Sequence, residues 1–489
     1  MSDLMPERSR SPVPWLASAA LLMAASIAAR WPGVAMYDSV SQYDQALEHA
    51  YTDWHPPIMA ETWALLNRLW PGTEPFFLIQ MLLWWGGLGL LSAALGRRGR
   101  HGAAACVLLV GVAPLFLGWV TVVLKDAQMA CCLAAAVGID AWWRLDECPR
   151  PRWAVALILL LIGYATLVRG NAVFATAPLL LVLWGWAGVR TWWGCGAMLA
   201  ALTLALLAAG PLINHRLLGA EQSHVERSLT IYDVAGIGHH AHLPTVPGLS
   251  PVEWERAERA GCYTPFFWNP YGEPAECDFV GQRLGIGDPT RRQLTRDWLM
   301  LIVRHPVAYV VHRAGHLNAN LRFWVGPGEP SAPPPLDSEP NTFGLGKRSG
   351  AAGRALITAG RVMAESPLGW PVLWLAVAVG LLCASDRSNS TGQVALGRAL
   401  ALSAACMSAS FAVVSIASDL RYHLWSMVAA ALALILLVDA RAFVPRRAAI
   451  AAAGVLALLV LASAAHLGAA SPVYVPLPAR IPPPPAARA

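Results

Sequence analysis

The chain has 489 residues, of which 56% are hydrophobic and only 13% charged, with 22 Trp and a mean hydropathy of +0.47. A soluble domain carries roughly 25% charge, so this composition excludes an ordinary water-soluble fold. The net charge of +6 is no argument for nucleic acid, because it follows from the placement of arginines described below.

Charge-poor apolar stretches close to the roughly 20 residues that cross a bilayer recur eleven times: 15–36, 76–95, 103–124, 127–143, 153–168, 172–189, 193–213, 367–384, 399–417, 422–438 and 448–465. Only Arg30 and Asp140 are charged within them. The expected fold is therefore an all-α polytopic membrane protein of about eleven spans. The first stretch has no small-residue cleavage site of signal-peptide type and reads as the first span.

Orientation follows from the short connections, since basic loops stay in the cytoplasm. Arg8, Arg10, Arg97, Arg98, Arg100, Arg144, Arg150, Arg152, Arg190, Arg387, Arg398, Arg441, Arg446 and Arg447 put fourteen cations on one side. The other side's short loops carry four, Arg68, Lys125, Arg169 and Arg421. This asymmetry places the N-terminus in the cytoplasm and the second set outside, as expected for a bacterial inner-membrane protein with a periplasmic working face.

Two external segments interrupt the spans. Residues 37–75 are too long and polar for a turn. Residues 214–366 are large enough to pack as a small domain, giving an expected division into 1–213, 214–366 and 367–489. Within the second segment, 296–324 reads as a helix lying on the membrane, because Arg304, His305, Pro306, His312, Arg313 and His316 make it unfit to span. Residues 326–350, with Pro333, Pro334 and Pro335, have the composition of a flexible loop. The run Pro482–Pro485 reads as a disordered tail. Of nine cysteines, Cys262 and Cys277 alone fall in the external segment, where an oxidising space would favour a structural disulfide.

Ionisable groups gather where the spans emerge outside. Asp38 follows the first span within two residues, and partial desolvation there would raise its pKa and improve it as a base; it could equally serve only to cap the next helix. Asp53-Trp54-His55-Pro56-Pro57 combines an extended residue before proline with a helix start, a rigid turn that can aim Asp53 and His55 at one cavity, with Trp54 as a stacking surface. Lys125-Asp126, Arg169 with Asn171, and Asp419, Arg421, Tyr422 and His423 occupy the remaining outer turns. Arginine suits a phosphate because its planar fork binds two oxygens and keeps its charge; each pair also reads as a snorkelling cation with its counter-ion. His239-His240-Ala241-His242 looks metal-like but sits in a loop with no second cluster.

The order of first helix, early loop Asp38, and Asp53-Trp54-His55-Pro56-Pro57 opening a loop helix resembles the GT-C superfamily of glycosyltransferases. More narrowly, it is similar to the bacterial relatives of protein O-mannosyltransferases and of the aminoarabinose transferase that modifies lipid A. The resemblance is strong over 15–95 and looser beyond. It implies a polyprenyl-phosphate-linked sugar as donor and an envelope glycan, lipid or protein as acceptor. It also implies Asp38 as the catalytic carboxylate, a donor and acceptor cavity shaped by His55-Pro56-Pro57, and a late arginine near the donor phosphate. On physical grounds Asp53, His55 and Asp126 are expected to support Asp38, Lys125, Arg169, Arg421 and Tyr422 to hold the donor phosphate, and Trp54 and Asn171 to contact acceptor or sugar. Some members use a divalent metal, though no tight carboxylate cluster here demands one. The chain departs from the mannosyltransferases in carrying Ser39, where an Asp-Glu pair would place Glu. A polytopic transporter and an O-antigen ligase-type enzyme are the competing readings; paired halves with broken helices, the mark of many transporters, are not visible.

Overall fold

A computed structural model describes residues 11–183, 192–272, 276–285, 293–328, 332–386 and 388–469. The expectations for Pro482–Pro485 and for Arg8, Arg10, Arg190 and Arg387 fall outside these residues. The protein is all-helical. In chain order the helices are α1 (Val13–Arg30), α2 (Tyr37–Glu48), α3 (Pro57–Asn67), α4 (Glu74–Arg97), α5 (His101–Val112), α6 (Pro114–Val120), α7 (Lys125–Arg144), α8 (Arg152–Val168), α9 (Val173–Leu183) and α10 (Trp192–Pro211). The external segment adds α11 (Glu226–His240), α12 (Pro251–Arg259), α13 (Asp278–Leu284), α14 (Gln293–Arg304), α15 (Pro306–Leu321) and α16 (Ala351–Glu365). The chain then continues through α17 (Pro371–Ala384), α18 (Gly392–Val414), α19 (Leu424–Asp439) and α20 (Pro445–Gly468).

Each of the eleven apolar stretches is mainly helical over its described residues, but they are not eleven equivalent spans. Among the described residues six helices are long and apolar enough to cross a membrane: Val13–Arg30, Glu74–Arg97, Trp193–Leu217, Gly392–Val414, Leu420–Asp439 and Pro445–Gly468; a seventh is formed if α5 and α6, bent by 57° at Ala113-Pro114, count as one. The proline explains the bend, because its ring removes a donor and clashes with the preceding turn. Arg152–Val168, Gly170–Leu183 and Pro371–Ala384 are apolar but short, and α7 carries Lys125, Asp126, Asp140 and Arg144. Where eleven spans were expected, six or seven helices among the described residues have the length and composition of a full crossing, and the others are shorter or carry charge.

The bundle is centred on α4 against α7. A Cβ on Gly87 would lie 2.4 Å from the Ala134 carbonyl oxygen, and one on Gly138 would lie 2.1 Å from that of Gly87, so the two backbones meet through paired glycines, as small residues permit between membrane helices. The position of α7 fixes both ends of the bundle. At its C-terminal end Arg144 and Arg150 converge on the fully buried Asp140; Arg97 pairs with Asp146 at 2.8 Å and Arg100 with Asp439 at 3.6 Å. At its N-terminal end stand Lys125 and Asp126.

The external segment has its own core of Ile231, Tyr232, Val234, Trp254, Trp268, Tyr271, Val280 and Leu301, among others, and a Cys262–Cys277 disulfide. Two expectations are corrected here. The stretch 296–324 is not one helix: it breaks at His305-Pro306, and α15 turns His312 and His316 fully into the interior. That face is consumed by packing on α11 and α18, while Val303, Val307, Val310 and Val311 stay exposed. Of residues 326–350, expected to form a flexible loop, the part from 332 to 350 is fastened along its length. Arg30, only 3% exposed, donates to Pro335 O at 3.0 Å, Leu336 O at 2.9 Å and Ser349 Oγ at 2.5 Å. The absence of helix in a Pro-rich stretch was legible; a buried cation holding it was not.

Two measurements test this frame. In a background with the seven free cysteines replaced, a Cys at exposed Thr342 should react with an impermeant thiol reagent in spheroplasts and one at exposed Ser390 should not; the reverse pattern would invert the orientation. Gly138→Val should lower thermal stability by about 1–3 kcal/mol or more through overpacking, whereas Gly102→Val, where a Cβ meets nothing within 4 Å, should not.

Candidate functional site: a buried ion cluster at the external end of the bundle

The site begins with a short piece of backbone pairing. Val34 and Val122 form a parallel bridge, with Val34 N donating to Thr121 O at 3.2 Å and Val123 N to Val34 O at 2.8 Å. Gln80 donates from Nε2 to the carbonyls of both Val120 and Val122 at 2.9 Å. Ser39 donates to Val123 O at 2.5 Å and accepts from Met36 N, so its hydroxyl closes the first turn of α2 onto the strand that leads into α7. These contacts bring Asp38, in the first turn of α2, opposite Lys125, the first residue of α7.

Lys125 Nζ lies 3.3 Å from Asp38 Oδ2 and 3.2 Å from His55 Nδ1; a charged lysine donates to both. Arg421 reaches the same carboxylate oxygen at 3.4 Å, Asp419 at 3.0 Å and Asp126 at 4.0 Å. Arg169 pairs with Asp126, donates to Asn171 Oδ1 at 2.7 Å and lies 4.1 Å over the Tyr422 ring. Asp126, Arg169 and Arg421 are each less than a tenth exposed. Three cations and three carboxylates thus share one desolvated cluster. This arrangement is tolerable only because each charge faces an opposite one.

Of the residues expected from sequence, Asp38, His55, Lys125, Asp126, Arg169, Asn171, Arg421 and Tyr422 therefore meet. Asp53 and Trp54 do not join them. Asp53 accepts from Ser223 N at 2.7 Å and Ser223 Oγ at 2.5 Å and lies 3.4 Å from His215, and Trp54 packs on Trp268 with ring centroids 5.7 Å apart. Successive residues after Thr52 point apart, so the turn that aims His55 inward sends Asp53 and Trp54 to the external domain. His239 pairs with Glu258 at 2.9 Å and His240 with Tyr263 at 3.1 Å; they do not form a metal site. Among the described residues no group of three His, Cys, Asp or Glu could hold an ion, and Asp38, Asp126 and Asp419 each already face a cation. The donors present do not fit a divalent metal as arranged, and no chemistry is derived through one.

The sequence reading missed Glu339. Its backbone N donates to Ala35 O at 2.9 Å, beside Ser338 Oγ, which accepts from Ala35 N at 3.1 Å. Burial pushes its carboxyl above the ordinary range; the Tyr37 amide and Arg421 oppose this, while Asp38 adds to it. A lone acid in a Pro-rich stretch carries no signal of its own, because only the anchoring of 332–350 brings it to Asp38. His423, also named from sequence, is fully buried against Phe411, and neither ring nitrogen has a hydrogen-bond partner.

The electrostatics of Asp38 overturn one expectation. Burial does push its carboxyl up, but Lys125, Arg421 and His55 outweigh it and hold the group well below the ordinary carboxylate range. As it stands, Asp38 is a poor base. Burial together with Lys125 lowers His55 from 6.5 to about 4, against the opposing pull of Asp38, so its ring is neutral and accepts from Lys125.

No family model matches the chain, and no curated protein does. Among solved structures it is similar to the Archaeoglobus fulgidus oligosaccharyltransferase in the apo form, with a TM-score of 0.36 and 15% identity over 94% of this chain and 56% of that one. It is also similar to the archaeal oligosaccharyltransferase AglB from the same organism in complex with an inhibitory peptide and a dolichol-phosphate, with a TM-score of 0.33, the same identity and the same coverage. The chain spans little more than half the length of these proteins. At that distance the likeness carries no argument, and function must be argued from the ion cluster itself.

The His55 environment makes a pH prediction. Because the fold holds His55 neutral and the unfolded chain does not, the unfolded state binds more protons between its two pKa values. The stability this group contributes is complete above about pH 6.5 and is lost as pH falls toward about 4. His55→Asn, which keeps an acceptor for Lys125, should therefore show a smaller drop in melting temperature from pH 7 to pH 5 than the unsubstituted protein; equal drops would place the ring in water.

Proposed function

We propose that the protein is a membrane glycosyltransferase of GT-C type that takes a sugar from a polyprenyl-phosphate donor and passes it, with inversion, to an acceptor hydroxyl of the cell envelope on the periplasmic side. The observation that carries this reading is the convergence of Lys125, Arg421 and Arg169 around Asp38 and Asp126 where the apolar helices end. An amphiphile with a lipid tail and an anionic head fits such a place, tail along the helices and head among the cations.

The chemistry follows from the charges. The acceptor oxygen forms a bond to the anomeric carbon as the bond from that carbon to the phosphate oxygen breaks and its electron pair leaves with the polyprenyl phosphate. Asp38 takes the acceptor proton. In the resting arrangement Asp38 is too well paired to do so, but a donor phosphate is a second anion for the same two cations. As Arg421 and Lys125 turn part of their charge to it, Asp38 loses the interactions that depress its pKa and becomes a stronger base. Arg421 then serves the leaving group, where negative charge grows most. Arg169, held over Tyr422 and against Asp126, keeps the second carboxylate from competing for Arg421.

Purified protein in nanodiscs with polyprenyl-phosphate sugars from the native envelope should release polyprenyl phosphate and glycosylate an acceptor fraction. Asp38→Asn should reduce this by roughly 10²–10⁴ with donor binding retained, since an amide still accepts from Arg421 but cannot take a proton. Arg421→Ala should weaken donor binding and turnover together, and Arg421→Lys should restore only part, because a point charge cannot make the two-pronged contact. Near-normal turnover by Asp38→Asn would remove it as the base. Uptake of solute by proteoliposomes without any glycosyl transfer would move the protein to the transporter class.

A further inference from the structure

Besides bringing Glu339 to Asp38, the external domain holds the backbone that delivers two of the cluster's members. The first is the approach to His55. Glu221 N donates to Tyr51 O at 2.8 Å and Asp53 N to Glu221 O at 3.1 Å, and Ser223 fixes the Asp53 carboxylate. The second is the approach to Arg421. α18 ends at Val414, and the next three residues are each tied to the external domain. Arg313 donates from Nη1 to Ser415 O at 2.7 Å, Trp268 N to Ile416 O at 3.0 Å, and Phe267 bridges Ala417. Asn320 adds a contact to Ser415 Oγ at 3.3 Å. Trp268 meets both approaches, since its ring packs on Trp54.

Arg313 does this while 6% exposed. Its other prong lies 2.5 Å from Asp233, a fully buried carboxylate that also accepts from Trp298 at 2.9 Å and from His312 at 3.1 Å. Those donors fix the carboxylate, the carboxylate fixes the guanidinium, and the guanidinium grips an unpaired carbonyl at the C-terminus of α18, where a cation is favoured by the helix dipole. From Ser415 only six residues of chain lead to Arg421. A small shift at Ser415 therefore displaces the one arginine that faces Asp38, Asp126 and Asp419 together, and displacements near 1 Å cost large factors in rate.

We infer that Arg313, held by Asp233, is a positioning residue that sets Arg421 through Ser415, making the external domain the part that tunes the cluster. This rests on the reading of Arg421 as the group that meets the donor phosphate, and the experiment separates the two.

Arg313→Lys keeps the positive charge against Asp233 but cannot hold that carboxylate and Ser415 O at once. In nanodiscs, hydrogen exchange read by mass spectrometry should show faster exchange across 415–421, with the peptides of α4 and α7 unchanged. The affinity for undecaprenyl phosphate should fall about tenfold, and the same substitution made in an Arg421→Ala background should cause no further loss. Unchanged exchange at 415–421 overturns the inference, as does a full additional loss in the double variant, because that is the behaviour of a merely structural arginine. If the unsubstituted protein does not bind undecaprenyl phosphate, the functional reading fails and the exchange result still decides the positioning. Should Arg313→Lys not fold, Asn320→Ala, which removes the second contact to Ser415, is measured by the same exchange with the same expectation and the same overturning result.

Discussion

Everything at the Lys125 end of the bundle follows from the cost of holding ions away from water. Lys125, Arg169, Arg421, Asp38, Asp126 and Asp419 stand where apolar helices end, several of them almost fully buried. An isolated charge in such a place costs several kcal/mol, so none can stand alone, and the backbone must bring opposite signs within a few ångströms. The Val34–Val122 pairing, the Ser39 hydroxyl on Val123 and the Gly87–Gly138 crossing exist in that sense to place charges. The same neutrality makes the cluster responsive: an arriving anion does not meet bare cations but competes with carboxylates already there.

That competition links structure to chemistry. A carboxylate held far below its ordinary pKa is stable and inert; one whose partners have been drawn away is reactive. A single oxygen of Asp38 faces both Lys125 and Arg421, so one incoming phosphate can draw on both. Under the proposed function Asp38 would be silent as a base until the donor is seated, which would protect a reactive sugar-phosphate bond from stray hydroxyls, water included.

The sequence revealed the helices by apolar length, and it revealed most of the cluster because ions at the ends of spans are expensive enough to be conspicuous. Lys125, Asp126, Arg169 and Arg421 stood out for that reason alone. It could not reveal the direction of the Asp38 shift, since desolvation and neighbouring cations act oppositely and only distances decide between them. Asp53 and Trp54 were misplaced because adjacent residues on an extended turn face different ways. Glu339 was invisible because its neighbours in space, Ala35 and Tyr37, lie some three hundred residues away along the chain. Apolar content marked Arg152–Val168 and Pro371–Ala384 as spans, but it does not reveal where a helix stops, and both are shorter than a full crossing.

The glycine crossing of α4 and α7 has a bearing on how such a protein could diversify. Where backbone meets backbone at Gly87 and Gly138 there is no side chain to trim or enlarge, so that crossing offers no adjustable part. The Tyr51–His55 and Ser415–Arg421 approaches are different: they are single strands of chain, fastened to a domain with a core and a disulfide of its own. Under the proposed function, a lineage altering the acceptor could remodel that domain's outer surface freely while its inner grip, Arg313 on Ser415 and Glu221 beside Asp53, kept the clustered charges in register. Heritable change in specificity would then accumulate in the one region where it does not disturb the chemistry.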